Sequence, residues 1–408
     1  MEDINKVSNK NASPLFYLAL SAYILQGTLS SVDTNYLSSL CFVCQLVALA
    51  SLSLKLIIEN DAFEKVFALA PAIGIIALCC YYSQMFPLLW LAVFVLAGKG
   101  IRFRSAALCS FLSIACALIV AIMLLRTGIT TDTLFYRNGV ERHSYGFTTP
   151  NSLARTVLIC YISYLCYVYP KFRIIHYVIL VLIIGFIWTV TNSRTMVALS
   201  ILTLLIMLLS NRIINKNRAR IFTTIFEVIF IIVCTYSILA MIFYTPSNAI
   251  INVIDELLTG RMYLNHYYYS LHPNSLIGIG YYGVSFVNSH VAYQDSLIVD
   301  NSYCCLVIKY GWIVAITFIV LSLFVFRKAR NEEYIGPAIL FFAIFAIAGY
   351  SESFMISLST NITLLLFSPL LYSESYNSFD SISSKREKHE NYNEKVRKAL
   401  TNGVYLLK

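Results

Sequence analysis

The chain has little charge. Only 12% of its 408 residues are Asp, Glu, Lys or Arg, while 58% are apolar; a soluble domain carries about 25% charged residues. One water-soluble core has no use for so much apolar side chain, so a soluble globular protein is excluded and an integral membrane protein is indicated. The sequence has no Asp-x-Asp, so a nucleotide-sugar enzyme holding a divalent metal by that motif is not supported. No histidine pair has the i, i+4 spacing of a helical metal site. His143, His266, His272 and His290 stand alone in polar stretches, where isolated histidines are ordinarily surface groups. No metal and no cofactor is expected. A disulfide framework is missing as well, because all 11 cysteines fall in apolar runs and pack there as small hydrophobes. The one C-x-x-C, Cys41 and Cys44, lies within such a run with no second pair and no neighbouring His. Internal repeats and low-complexity tracts are also absent.

What remains is a series of apolar runs. A helix crosses a bilayer with about 20 residues, and candidates lie at 15–31, 35–58, 66–82, 86–98, 106–125, 152–169, 174–191, 195–210, 221–244, 302–326, 335–350 and 353–373. The expected fold class is therefore an all-α integral membrane protein of about twelve transmembrane helices. A polytopic membrane domain covers 1–373 and a polar, cytoplasmic tail covers 374–408. The short run 86–98 is kept as a span, because omitting it would turn Lys171, Arg173 and the basic residues from Arg212 to Arg220 outward, against the positive-inside rule. No small-residue cleavage site follows the first run, so a retained anchor helix is expected there.

With the N-terminus inside, twenty-three of the 30 basic residues fall on the cytoplasmic side, as does the C-terminus. The net charge of +9 is then topology, and no nucleic-acid partner is expected. Two long outer loops break the pattern of tight hairpins, at 126–151 and 245–300. Connections of that length are functional or disordered. The second carries Tyr263, Tyr267, Tyr268 and Tyr269 among other aromatics, which is not the composition of a disordered linker, so it is expected to fold, with a helix over about Asn252 to Ser270.

The residues that point to chemistry are the outer-side arginines Arg137, Arg142, Arg155, Arg194 and Arg261. Any one of them could be an interfacial side chain that snorkels. As a set they call for another account, since lysine would serve that purpose equally and the outer side has almost none. Arginine in preference to lysine points to planar, bidentate recognition of phosphate or carboxylate. Asp300-Asn301-Ser302-Tyr303 opens a later span. For Asp300 two readings stand: a helix cap, or a general base beside a cationic phosphate site. For the tyrosines at 267 to 269 two also stand, stacking on sugar faces or settling at a membrane interface.

In order and placement these pieces resemble the bacterial O-antigen and capsule polysaccharide polymerases of the Wzy type, and their relatives the O-antigen ligases. The matching pieces are Arg137-x-Gly-x-x-Arg142, Gly146-Phe147, Pro150-Asn151, Ser193-Arg194, Gly260-Arg261, Gly278-Ile-Gly280, Asp300-Asn301-x-Tyr303 and Tyr310-Gly311. The resemblance spans about 126–325, and the helix layout extends it over the whole chain. In the ligases the position of Asp300 is typically His, a departure that favours polymerase over ligase.

The resemblance implies a C-type, metal-independent glycosyltransferase of the bacterial cytoplasmic membrane, acting at its outer face on polyprenyl-diphosphate-linked oligosaccharides. The growing chain would pass from one lipid carrier to the non-reducing end of a new lipid-linked unit, with a flippase and a chain-length regulator of the same pathway as partners. Asp300, with Asn301 orienting the acceptor and His272 as reserve base, would be catalytic. Arg137, Arg142, Arg155, Arg194 and Arg261 would hold the diphosphates, and Tyr267, Tyr268 and Tyr303 would contact sugar. The alternatives are a ligase, with the same donor and another acceptor, and a polysaccharide or lipid-carrier transporter. A transporter would place ionisable groups near mid-membrane, and only Glu227 and Lys309 lie deep in apolar runs.

Overall fold

Inside a bilayer every backbone amide and carbonyl must be paired within the protein, which leaves helices as the solution for apolar runs of this length. The computed structural model describes residues 2–376 except 84, 138, 211–215, 246–250, 252, 254, 256–259, 272, 279–298 and 333–335, and of 2–12 and 60–63 it describes the backbone alone. The helices are α1 (Glu2–Leu29), α2 (Ser38–Ile58), α3 (Asn60–Ala68), α4 (Ala70–Ser83), α5 (Pro87–Leu96), α6 (Phe103–Arg126), α7 (Pro150–Val168), α8 (Ile174–Phe186), α9 (Arg194–Ser210) and α10 (Lys216–Phe243). They are followed by α11 (Arg261–Leu271), α12 (Ser302–Cys305), α13 (Trp312–Ala329), α14 (Pro337–Ala348) and α15 (Phe367–Leu371).

Among the described residues, five helical stretches are long and apolar enough to cross a membrane: Asn35–Ile58, Phe103–Arg126, Ile174–Thr191, Lys216–Phe243 and Trp312–Ala329. Their exposed faces carry large apolar side chains, such as Phe42 and Leu49 on α2, Leu112 and Ile122 on α6, and Ile225 and Ile232 on α10. A water-soluble helix turns such residues inward; here they face outward as well, the pattern of helices solvated by lipid. The chain is an all-α membrane protein.

The exception among the described residues is a two-stranded hairpin in the loop 126–151. Its antiparallel strands β1 (Leu134–Arg137) and β2 (Val140–His143) pair Leu134 with His143 and Arg137 with Val140. A bridge between Val32 and Phe147 ties the hairpin to the α1–α2 connection. Of the helix expected over about Asn252 to Ser270, Val253 and Asp255 are helical, as is Ile251 just before them; Gly260, in the left-handed region at φ 76°, breaks the run, and the tyrosine-bearing helix follows over Arg261–Leu271.

Two expected spans are interrupted. The run 302–326 is a short helix α12, a π-helical turn Leu306–Tyr310, and then α13, with the break at Gly311 (φ 89°, ψ 169°), a conformation reserved for glycine. The segment 275–278 lies against this break, where the Trp312 amide donates to the Ser275 carbonyl at 3.2 Å. A Cβ on Gly278 would stand 2.3 Å from the Lys309 carbonyl oxygen, and one on Gly311 equally close to that of Leu276. The run 353–373 forms two single turns, Ser353–Ile356 and Ile362–Leu366, before α15. Asn361 holds the bend between the turns, donating to the Met355 carbonyl at 2.9 Å and accepting from the Thr363 amide at 3.2 Å. Of the tail, Glu374 accepts from the Gly100 amide at 3.1 Å and Tyr376 is buried, so the first tail residues belong to the folded body.

Candidate functional site

Five chain segments meet at one place. Helix α7 opens with Thr149 accepting from the Ser152 amide at 3.1 Å and Pro150 in its first turn, and it carries Arg155 one turn further. The π-helical turn Ile187–Thr191 and the left-handed Asn192 swing the chain into α9, which begins Arg194-Thr195. Asp255 receives the Met262 amide at 2.8 Å, the Tyr263 amide at 3.3 Å and the Tyr244 hydroxyl at 3.1 Å, which fixes the start of α11 and with it Arg261. Glu352 follows α14, and its backbone carbonyl accepts from Ser302 Oγ at 2.5 Å, so the turn after α14 is clamped to the segment that bears Asp300.

At the meeting point Arg261 Nε lies 3.2 Å from Asp300 Oδ2, and its Nη2 lies 3.9 Å from Glu352 Oε1. The same guanidinium donates to the Ser351 carbonyl. Thr195 hydrogen-bonds the Glu352 carboxylate, and Arg155 lies near enough to both carboxylates to act on them. The Arg155 guanidinium also stands over the Phe354 ring, 6.0 Å from its centroid. Two arginines and two acids from separate parts of the chain thus share one cluster. Burial pushes the Glu352 carboxyl up to about 7, with Asp300 reinforcing the shift and Arg261 and Arg155 opposing it.

Arg194 stands exposed at the first position of α9, beside Thr195, and has no ion-pair partner among the described residues. Arg142 is buried and committed, its Nε donating to the Thr191 carbonyl and its Nη2 to Asn151 Oδ1, both at 2.6 Å. It ties the hairpin to α7 and to the turn before α9. Arg137 ends β1 half-buried, and among the described residues it makes no contact with Asp300 or Glu352.

Two expected roles meet a physical obstacle. Asn301 is buried, and its side-chain oxygen accepts from the Tyr303 and Cys304 amides at 2.9 and 3.1 Å while its amide donates to Ser237 Oγ at 2.9 Å. It is the cap of α12, and it faces a cavity of about 20 Å³ shared with Arg261, room for about one water. Its hydrogen-bonding groups are committed to the cap and to Ser237. Because Asn301 caps the helix, Asp300 is not needed there. Tyr303 is fully buried, its hydroxyl donating to the Ala346 carbonyl, so it cannot contact a sugar and is a packing residue.

Tyr267 is exposed and stacks on Tyr263 at 6.2 Å, with Tyr268 edge-on to it at 5.4 Å. His272 lies outside the described residues. Among those described, no three His, Cys, Asp or Glu gather as a metal site. Glu352, between the expected spans 335–350 and 353–373, is not among the site residues read from the sequence. The signal was available, since it is the lone charged residue between Gly336 and Tyr372, and a carboxylate kept between two apolar runs is costly without a purpose.

No protein-family model, no curated protein and no solved structure matches the chain.

Proposed function

We propose that this protein polymerises polyprenyl-diphosphate-linked oligosaccharides, moving a growing glycan from its lipid carrier to the non-reducing end of a new lipid-linked unit. One observation carries the reading: Arg155 and Arg261, distant in sequence, meet over a pair of acids, one of them hydrogen-bonded by Thr195, the chain neighbour of the exposed Arg194. Departure of a diphosphate develops negative charge, and preorganised guanidinium groups meet that charge without a metal. In this reading Arg194 and Arg261 hold the leaving diphosphate, and Arg155 serves the acceptor side. Tyr267 and Tyr268 offer ring faces to the glycan.

The reading includes about twelve crossings of a bacterial cytoplasmic membrane, both termini inside, and the Arg261 cluster at the outer face. It also includes a flippase and a chain-length regulator as partners. The placement of Glu227 favours surface chemistry over alternating-access transport. Glu227 is engaged by Arg327 at 3.3 Å and Arg330 at 3.4 Å, so it is a paired group, six residues into the apolar run 221–244, and not a free mid-membrane carrier.

Purified protein given a synthetic lipid-linked repeat unit is expected to yield a ladder of longer lipid-linked glycans and free polyprenyl diphosphate. Near-normal turnover by both Arg194→Ala and Arg261→Ala would overturn the arginine clamp. Reporter fusions after Arg218 and after Asn265 are expected to give opposite signals, and matching signals would overturn the orientation.

A further inference from the structure

The two carboxylates at the cluster are not equivalent. Asp300 keeps 34% of its side chain exposed and sits 3.2 Å from the Arg261 guanidinium. Its carboxylate is thus tied to the cation it pairs with. Glu352 keeps 12% exposure, its nearest Arg261 contact is 3.9 Å, and its only described side-chain hydrogen bond is to Thr195. The groups facing it are Thr195 from α9, Arg261 from α11, Asp300 ahead of α12 and Arg155 from α7.

We propose that Glu352 is the general base of the glycosyl transfer and that Asp300 is a positioning residue which fixes Arg261. The inference rests on the reading of the chain as a lipid-linked glycan polymerase. In the step, the acceptor hydroxyl oxygen forms its bond to the anomeric carbon of the donor sugar as the bond from that carbon to the diphosphate oxygen breaks. The hydroxyl proton passes to a Glu352 carboxylate oxygen, and the electron pair of the broken bond leaves with polyprenyl diphosphate beside Arg261 and Arg194. Glu352 then returns its proton to water. A base works best when its pKa lies near the working pH, and burial has moved Glu352 to about 7. The clamp between Ser302 and the Glu352 carbonyl holds this base against the segment that carries Asp300.

The experiment follows the pH dependence of elongation of a synthetic lipid-linked repeat unit by the full-length protein. The wild type is expected to lose rate below about pH 7. Glu352→Gln, which is isosteric, is expected to lose on the order of a hundredfold or more in kcat at every pH. Asp300→Asn is expected to lose less and to keep an acid limb moved toward lower pH, because a charge that raises the pKa of Glu352 has gone. A limb that is absent in Asp300→Asn, or Glu352→Gln turning over within tenfold of wild type with its limb intact, overturns the proposal. Difference infrared titration, wild type against Glu352→Gln, reads the carboxyl without any turnover. A Glu352 band titrating near pH 7 in a protein that elongates nothing overturns the polymerase reading while the titration stands. No such band overturns the assignment of the base.

Discussion

Helix α10 joins two charged clusters that use the same residue types to different ends. In its first half Glu227 is buried and flanked by Arg327 and Arg330 at 3.3 and 3.4 Å. Ten residues further, about 15 Å along the axis, Ser237 supports Asn301 beneath the Arg261 cluster. At Glu227 one acid has two bases, each within ion-pair distance, and nothing is left over to bind a ligand. At Arg261 one guanidinium is divided between Asp300 and Glu352, the second contact is loose at 3.9 Å, and Glu352 is held partly protonated at neutral pH. A buried charge that is saturated is a fastening; one left short of partners stores free energy that a substrate's own charge can relieve.

Removing the central cation of each cluster separates the two most widely. Arg261→Ala is expected to lose on the order of a hundredfold or more in kcat, the effect of deleting one preorganised transition-state donor. Arg261→Lys is expected to lose much of the rate as well, since a point charge cannot replace a planar fork shared by two carboxylates and a carbonyl. Turnover measured beside Arg327→Ala makes the comparison, and equal activities would erase the distinction between the clusters.

The broken helix ahead of α13 is the next point of attack. Gly311→Ala places a side chain at φ 89°, ψ 169°, with its Cβ 2.3 Å from the Leu276 carbonyl oxygen. Backbone strain of this kind costs about 1–3 kcal/mol, and the overlap adds to it, so a clear fall in thermal midpoint in detergent is expected. A midpoint equal to wild type would mean that the 275–278 segment does not rest on the break.

Glu352→Gln is expected to raise stability where Glu227→Gln lowers it. An acid whose folded pKa is raised from 4.5 to about 7 loses stability as pH climbs between those values, because the unfolded chain ionises first. A shift of that size corresponds to about 3 kcal/mol well above pH 7. The glutamine variant escapes this penalty above about pH 7, and its advantage vanishes below about pH 4.5. Unfolding midpoints of the two variants at pH 4.5 and 8 test the sign, and a Glu352→Gln protein no more stable than wild type at pH 8 refutes it.

Part of the cluster was legible in the sequence. Arginines in a region almost without lysine marked Arg155 and Arg261, and the start of an apolar run marked Asp300. What sequence could not supply was the direction of side chains at a helix start. Asn301 and Tyr303 sit beside Asp300 in the chain, yet the first turn of α12 rotates them into the core, one as cap and one as packing. Arg142 carried the same signal as Arg155 and serves as a tie for the hairpin, because its partners at Asn151 and Thr191 come from segments that only the fold brings close. Glu352 lay hidden for the same reason: its partners Arg155, Thr195, Arg261 and Asp300 come from four other segments. The interruption at Gly311 was invisible to hydropathy, which counts apolar residues and not the φ angle of one glycine.

The smallest expected effect sharpens the comparison from the saturated side. The Arg327 side chain is 56% exposed, so its pairing with Glu227 is screened by solvent and worth about 0–1 kcal/mol. Arg330, at 31% exposure and 3.4 Å from the other carboxylate oxygen, remains to neutralise Glu227 when Arg327 is gone. Arg327→Ala is therefore expected to shift the unfolding midpoint slightly and to leave kcat as in wild type. The double variant Arg327→Ala/Arg330→Ala should cost more than the two single changes added together, because only then is the buried carboxylate stranded. Additive losses would mean that Glu227 never depended on the pair, and its role as a fastening would fall with them.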